Sequence, residues 1–152
     1  MQIIDYFKCD RPDYWLAQIR KSDWDAGQYL YKLLSENSFK NAVGGNSTVL
    51  MLTNEDELVS FCTYAEKDDI QPTELTPWIG FVYTFPAYRG HRYAGELIKE
   101  IEKLARTENV HDLFISTNHV GLYEKYGYEF YQIMHDINGE PSRVYRKHIK
   151  NI

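Results

Sequence analysis

Seven consecutive residues, Arg89, Gly90, His91, Arg92, Tyr93, Ala94 and Gly95, set three basic side chains among two glycines where a helical pattern begins. That arrangement suits anion binding. The first N–H groups of a helix have no partner within it, and the macrodipole adds about half a positive charge there. Gly90 lets the backbone approach a ligand closely, and Arg89, His91 and Arg92 add side-chain charge. The competing reading is an ordinary strand-to-helix loop with a solvated arginine pair. The stretch does not match the dinucleotide fingerprint, which needs three glycines and an acidic ribose partner downstream. His91, His111, His119, His135 and His148 show no ligand spacing with a cysteine or carboxylate, so no metal is expected.

The basic turn must be held between a strand and a helix. Residues 79–85 are rich in β-branched and aromatic side chains, which predicts a buried strand, and Pro86 ends it. Beyond the turn, Ala94, Leu97, Ile98, Ile101, Leu104 and Ala105 form one apolar helical stripe, while Glu96, Lys99, Glu100, Glu102, Lys103 and Arg106 fill the other face. Upstream, residues 2–7 read as a strand. Asp10 is a candidate helix cap with Pro12 in the first turn, and a second helix starts at Ser22 or Asp23 and runs to about Glu36. Residues 37–46 read as a polar loop, residues 48–52 and 58–65 as a hairpin, and residues 67–76 as a loop entering the central strand. Downstream, residues 112–116 form a short buried strand, parallel to the one across the helix. Residues 118–125 suit a short helix closed by Gly127. Residues 128–136 and 143–149 are strands around the turn at Asn138 and Gly139. The pattern predicts an α/β (α+β) fold, a mixed sheet with helices on its faces, as a single domain over residues 1–152.

Composition narrows the functional class. A net charge of −5 disfavours a general nucleic-acid binder and weakly favours a cationic partner. Cys9 and Cys62 have no framework spacing and fit a reducing cytosol, so a cytoplasmic location is expected. The first residues lack signal-peptide organisation, and no apolar run approaches the ~20 residues of a membrane span. Thirteen tyrosines would suit a half-buried sheet or a ligand cleft.

The run Pro86, Tyr88, Arg89, Gly90 and Ala94 resembles motif A of the GCN5-related N-acetyltransferases (GNAT), whose core is Gln/Arg-x-x-Gly-x-Gly/Ala. Arg92 stands where the family usually has its middle glycine; a side chain turned outward leaves the N–H donor in place, but a positive φ would be strained. The stretch Tyr123, Glu124, Lys125 and Gly127 is similar to the family's Tyr-Glu-Lys-x-Gly-Phe run, with Tyr128 for the phenylalanine. The element order also resembles the family's from first strand to last hairpin, with a mixed, mostly antiparallel sheet.

The resemblance implies an N-acetyltransferase that uses acetyl-CoA as co-substrate, needs no metal, and passes the acetyl group directly to an amine in a ternary complex. Pyrophosphate would sit on Arg89, Gly90, His91, Arg92, Tyr93, Ala94 and Gly95, and pantetheine along Val82, Tyr83 and Thr84, with Asn118 as a further coenzyme A contact. Tyr123 would protonate the leaving thiolate, since a phenol with pKa near 10 keeps its proton at neutral pH. Glu74, with Glu66 as competitor, is the candidate general base. Trp24, Tyr29, Tyr64 and Trp78 could line an acceptor cleft with Glu66 and Glu74. Tyr126 is the tyrosine most easily confused with Tyr123. A small-molecule or peptide amine is the expected partner, with no nucleic acid and no membrane, for a monomer or homodimer. A non-catalytic acyl-CoA-binding sensor or partner module is the alternative.

Overall fold

The computed structural model describes residues 1–149. Among them, seven strands form one sheet: β1 (Gln2–Asp5), β2 (Thr48–Asn54), β3 (Glu57–Ala65), β4 (Trp78–Thr84), β5 (Asp112–Thr117), β6 (Glu129–His135) and β7 (Pro141–His148). Their order across the sheet is β1-β2-β3-β4-β5-β7-β6. Every pairing is antiparallel except β4 with β5, the pair joined through a helix. The mixed, mostly antiparallel sheet read from the sequence is therefore present. The helices are α1 (Pro12–Ile19), α2 (Asp25–Ser35), α3 (Phe39–Val43) and α4 (Tyr93–Thr107).

Two cores lie on opposite faces of the sheet. On one, Leu97, Ile98, Ile101 and Ala105 of α4 bury against Leu50, Cys62, Ile79, Leu113 and Ile115. On the other, Ile19, Leu30, Leu33 and Leu34 of α1 and α2 bury against Val49, Met51, Phe61 and Tyr83. The predicted α4 stripe thus faces the core, but Glu102, expected on the solvated face, is buried. Its carboxylate accepts from Tyr128 Oη at 2.9 Å and Lys147 Nζ at 3.0 Å. A buried charge needs such partners, and these come from residues far along the chain.

Several boundaries differ from the sequence reading. The first strand stops at Asp5, whose side chain accepts from Phe7 N and starts a 3₁₀ turn at Tyr6–Lys8. Asp10 caps nothing: α1 begins at Pro12 after Arg11, and α2 begins at Asp25 after Trp24. The expected polar loop of residues 37–46 contains α3, because Phe39 and Val43 bury one turn apart against the second core. The short helix expected at residues 118–125 is only a 3₁₀ turn, Glu124–Tyr126, closed by Gly127 at φ 93°. The last strand ends at His148 rather than at Ile149. The hairpin turn is confined to Glu55 and Asp56, so both of its strands are longer than expected.

Candidate active site

The site starts from an irregularity in β4. Tyr83 pairs with Phe61 and Gly80 with Thr63, so Phe81 and Val82 together stand opposite Cys62 alone. This β-bulge bends and twists its strand, and Phe81 takes φ 49°, in the left-handed region. On the other side, β4 pairs with β5 only at Trp78 and Ile79, opposite Phe114 and Ile115. Beyond Ile79 the two strands part, so the edge of β4 along Val82, Tyr83 and Thr84 has no β5 partner. Val82 packs on the α4 face, and Phe81 and Tyr83 on the other.

After β4 a 3₁₀ turn at Pro86–Tyr88 delivers the chain to the basic turn. Gly90 has φ 88° with no atom near its missing side chain, and Arg92 is left-handed at φ 59° and ψ 31°. The family's middle-glycine position is thus held in a glycine-like conformation by an arginine. Among the described residues, the N–H groups of Gly90, His91, Arg92, Tyr93 and Ala94 have no hydrogen-bond partner. Five free donors at the start of a 15-residue helix suit a phosphate. His91 and Arg92 are exposed, and the His91 ring lies 5.4 Å from that of Tyr93.

Arg89 behaves differently from its neighbours. Its Nε donates to Thr84 O at 2.9 Å, its guanidinium lies over the Tyr83 ring, and Nη2 is 3.9 Å from Asp23 Oδ1. The Tyr83 hydroxyl also donates to Asp23, holding that carboxyl below its ordinary range. Arg89 thus ties the turn back to β4 and to the loop between α1 and α2. Gly95 is buried, and a β-carbon there would meet the Tyr126 ring at 2.5 Å.

Tyr123 and Tyr126 separate clearly. Tyr123 is 6% exposed and packs in the α4-side core with Cys62. Burial, chiefly, pushes its phenol up, with smaller contributions from Cys62, Asp68 and Tyr126. Its hydroxyl has no hydrogen-bond partner among the described residues. Tyr126 instead covers Gly95 and borders a groove with Arg92, Lys99, Lys125 and Lys147. Backbone bonds from Tyr126 N and Tyr128 N to Tyr123 O fix the turn. Asn118 is exposed immediately after β5. Cys62 is fully buried and its thiol pushed up, which keeps it protonated.

On the opposite face lies a cleft of about 330 Å³, lined by Trp24, Tyr29, Phe81, Asp68, Asp69 and Ser116 among others. Of the aromatics expected there, Trp24 and Tyr29 are present. Tyr64 is buried on the α4 face with its hydroxyl on Glu108, and Trp78 packs against Phe114 and Ile70. Neither candidate base lines the cleft. The Glu66 carboxylate folds against Gly44, and Glu74 borders a separate groove with Val110, His111 and Asp112. The carboxylates in the cleft wall are Asp68, Asp69 and Asp136. Sequence reasoning passed over Asp68 and Asp69 because they sit in a charged loop, where a solvated role is the ordinary expectation. The small residue at Gly80 is the signal that something approaches β4 there.

Among the described residues no group of three or more histidine, cysteine or acidic side chains could hold a metal, and no helix is long and apolar enough to cross a membrane. The acetyltransferase (GNAT) family model matches residues 7–128. An aminoglycoside 6'-N-acetyltransferase complexed with coenzyme A superposes with a TM-score of 0.67 at 14% identity, covering 99% of this chain and 98% of that one. An aminoglycoside 6'-N-acetyltransferase from Enterococcus faecium gives 0.68 at 13% identity, covering 99% and 98%. An acetyltransferase from Streptococcus agalactiae gives 0.66 at 18% identity, covering 97% of both chains. These likenesses show the fold. Comparison with curated protein sequences gave no significant match.

Proposed function

Because the chain belongs to the acetyltransferase (GNAT) family, we propose that it moves an acetyl group from acetyl-CoA to an amine by direct attack in a ternary complex. The observation that carries this reading is one juxtaposition: five free N–H donors at the start of α4, a β4 edge with no β5 partner, and a buried phenol. The donors Gly90, His91, Arg92, Tyr93 and Ala94 take the pyrophosphate, with charge from His91 and Arg92. Gly95 keeps α4 close to the Tyr126 turn, and Arg89 holds the turn's shape as well as adding field. Val82, Tyr83 and Thr84 offer backbone groups to pantetheine and to the thioester oxygen, where fixed donors stabilise developing charge. Asn118 closes the mouth at the end of β5.

Tyr123 supplies the proton that the departing sulfur needs. A phenol whose ionisation burial disfavours is protonated throughout the working range and stays a donor. The enclosed, protonated Cys62 is not a nucleophile, which favours direct transfer over an acyl-enzyme. The acceptor enters through the aromatic cleft on the other face and meets the thioester across the gap between β4 and β5.

Calorimetry with acetyl-CoA, followed by thiol release in the presence of amines, tests the reading. Binding with amine-dependent release is expected. Binding without release for any amine would favour the non-catalytic acyl-CoA-binding alternative, and absence of binding would overturn the donor site.

A further inference from the structure

The cleft on the α1–α3 face contains an acidic pair with no counter-ion among the described residues. Asp68 and Asp69 leave β3 side by side, and the backbone carbonyls of both are pinned: Gln71 Nε2 donates to Asp68 O at 2.8 Å, and Ile137 N donates to Asp69 O at 2.8 Å. Asp68 reaches onto β4 itself. A β-carbon at Gly80 would overlap Asp68 Oδ1 and would stand 3.1 Å from Thr63 Oγ1. Thr63 is 1% exposed, and among the described residues neither its hydroxyl nor Asp69 Oδ1 has a hydrogen-bond partner apart from the Asp68 carboxyl beside Asp69. Orphaned buried polar atoms of this kind call for a ligand or an ordered water. No lysine, arginine or histidine among the described residues lines the cleft, whereas Trp24, Tyr29 and Phe81 do. Carboxylates and aromatic faces together attract a cation.

Resting on the acetyl-transfer reading, we infer that Asp68 receives the ammonium proton of the acceptor, that Asp69 holds the charge beside it, and that the acceptor is a compact primary amine without a carboxylate. Position supports the role. Asp68 lies at Gly80, next to the bulge at Phe81 and Val82 and just beyond the point where β4 parts from β5. Burial, then the neighbouring Asp69, holds the Asp68 proton well above the usual carboxylate range, which suits a base working near neutral pH. The other titratable groups facing this region are Tyr29 in the cleft wall, Asp136 on the hairpin, whose Oδ1 is committed to the N–H groups of Asn138 and Glu140, and the buried Cys62 and Tyr123. An acceptor with its own carboxylate would bring another negative charge to a wall that already has three acids and no cation. At about 330 Å³ the cleft is at the small end of ligand pockets.

The protons balance. One ammonium proton passes to Asp68 and on to solvent, and the freed lone pair forms the C–N bond. As the C–S bond breaks, its electron pair goes to sulfur, which takes the Tyr123 proton. Tyr123 regains a proton from the nitrogen, and the third nitrogen proton remains in the amide.

Three amine pairs that differ by one carboxylate test this: 2-phenylethylamine and phenylalanine, tryptamine and tryptophan, 1,4-diaminobutane and ornithine. At least one carboxylate-free member should drive thiol release from acetyl-CoA, with its partner about 100-fold poorer in kcat/KM. Asp68→Asn should bind acetyl-CoA as wild type does yet lose about 100-fold in kcat, and its kcat/KM should no longer rise with pH toward 8. Equal use of both members of every pair, no use of the carboxylate-free amines while acetyl-CoA still binds, or an unchanged pH profile in Asp68→Asn would overturn the inference. Failure of the wild type to bind acetyl-CoA would instead remove the reading beneath it.

Discussion

Tyr123 and Arg92 show how far a single residue's chemistry follows from its type. The phenol of Tyr123 was legible as a group protonated at neutral pH, but its burial, which disfavours ionisation still further, was not. Tyr123→Phe should lower kcat roughly 100-fold with acetyl-CoA affinity unchanged, as expected for loss of general acid catalysis. Steady-state rates and calorimetry on one preparation would decide it, and an unaltered kcat would remove the role. Arg92 occupies a left-handed conformation that costs a non-glycine residue about 1–2 kcal/mol. Replacing it with glycine also raises unfolded-chain entropy, by about 0.5–1 kcal/mol. A small net gain in stability is therefore predicted for Arg92→Gly. A lower denaturant midpoint would mean that the side chain, not the backbone, matters there.

At the level of elements, the strand, turn and α4 were readable because apolar spacing, Pro86 and Gly90 agree with one another. The β4 bulge was not, since alternating β-branched and aromatic residues look the same with or without one extra residue on the strand. Nor could the Asn138 and Gly139 turn reveal that β7 lies between β5 and β6, because a hairpin signal does not say which strand finds the sheet. That order sets Lys147 of β7 over α4, where it bonds Glu102 and also Tyr126 O at 2.8 Å. The Tyr123 turn is thus anchored from two elements. Lys147→Met leaves Glu102 buried without its cation and should cost roughly 3 kcal/mol. Urea denaturation measures this directly, and an unchanged midpoint would show that the pair carries no net stability.

For the molecule as a whole, the cleft acids link function to stability. Asp68 has a folded pKa raised from 3.8 to about 8 by burial and by Asp69. Between those values the folded state keeps a proton that the unfolded chain has lost, so stability falls as pH rises across that window. Below it both states are protonated, and the penalty is absent. Asp68→Asn should therefore melt above the wild type at pH 8 and close to it at pH 4, and equal melting at both pH values would place the carboxylate in a solvated setting. The overall charge of −5 points the same way as the cleft, towards a cationic acceptor.

The central claim, direct transfer between two substrates bound together, is tested by initial rates of thiol release over a grid of acetyl-CoA and amine concentrations. Double-reciprocal lines that intersect are predicted. Parallel lines, the pattern of an acyl-enzyme relay, or no amine-dependent release at all, would contradict it.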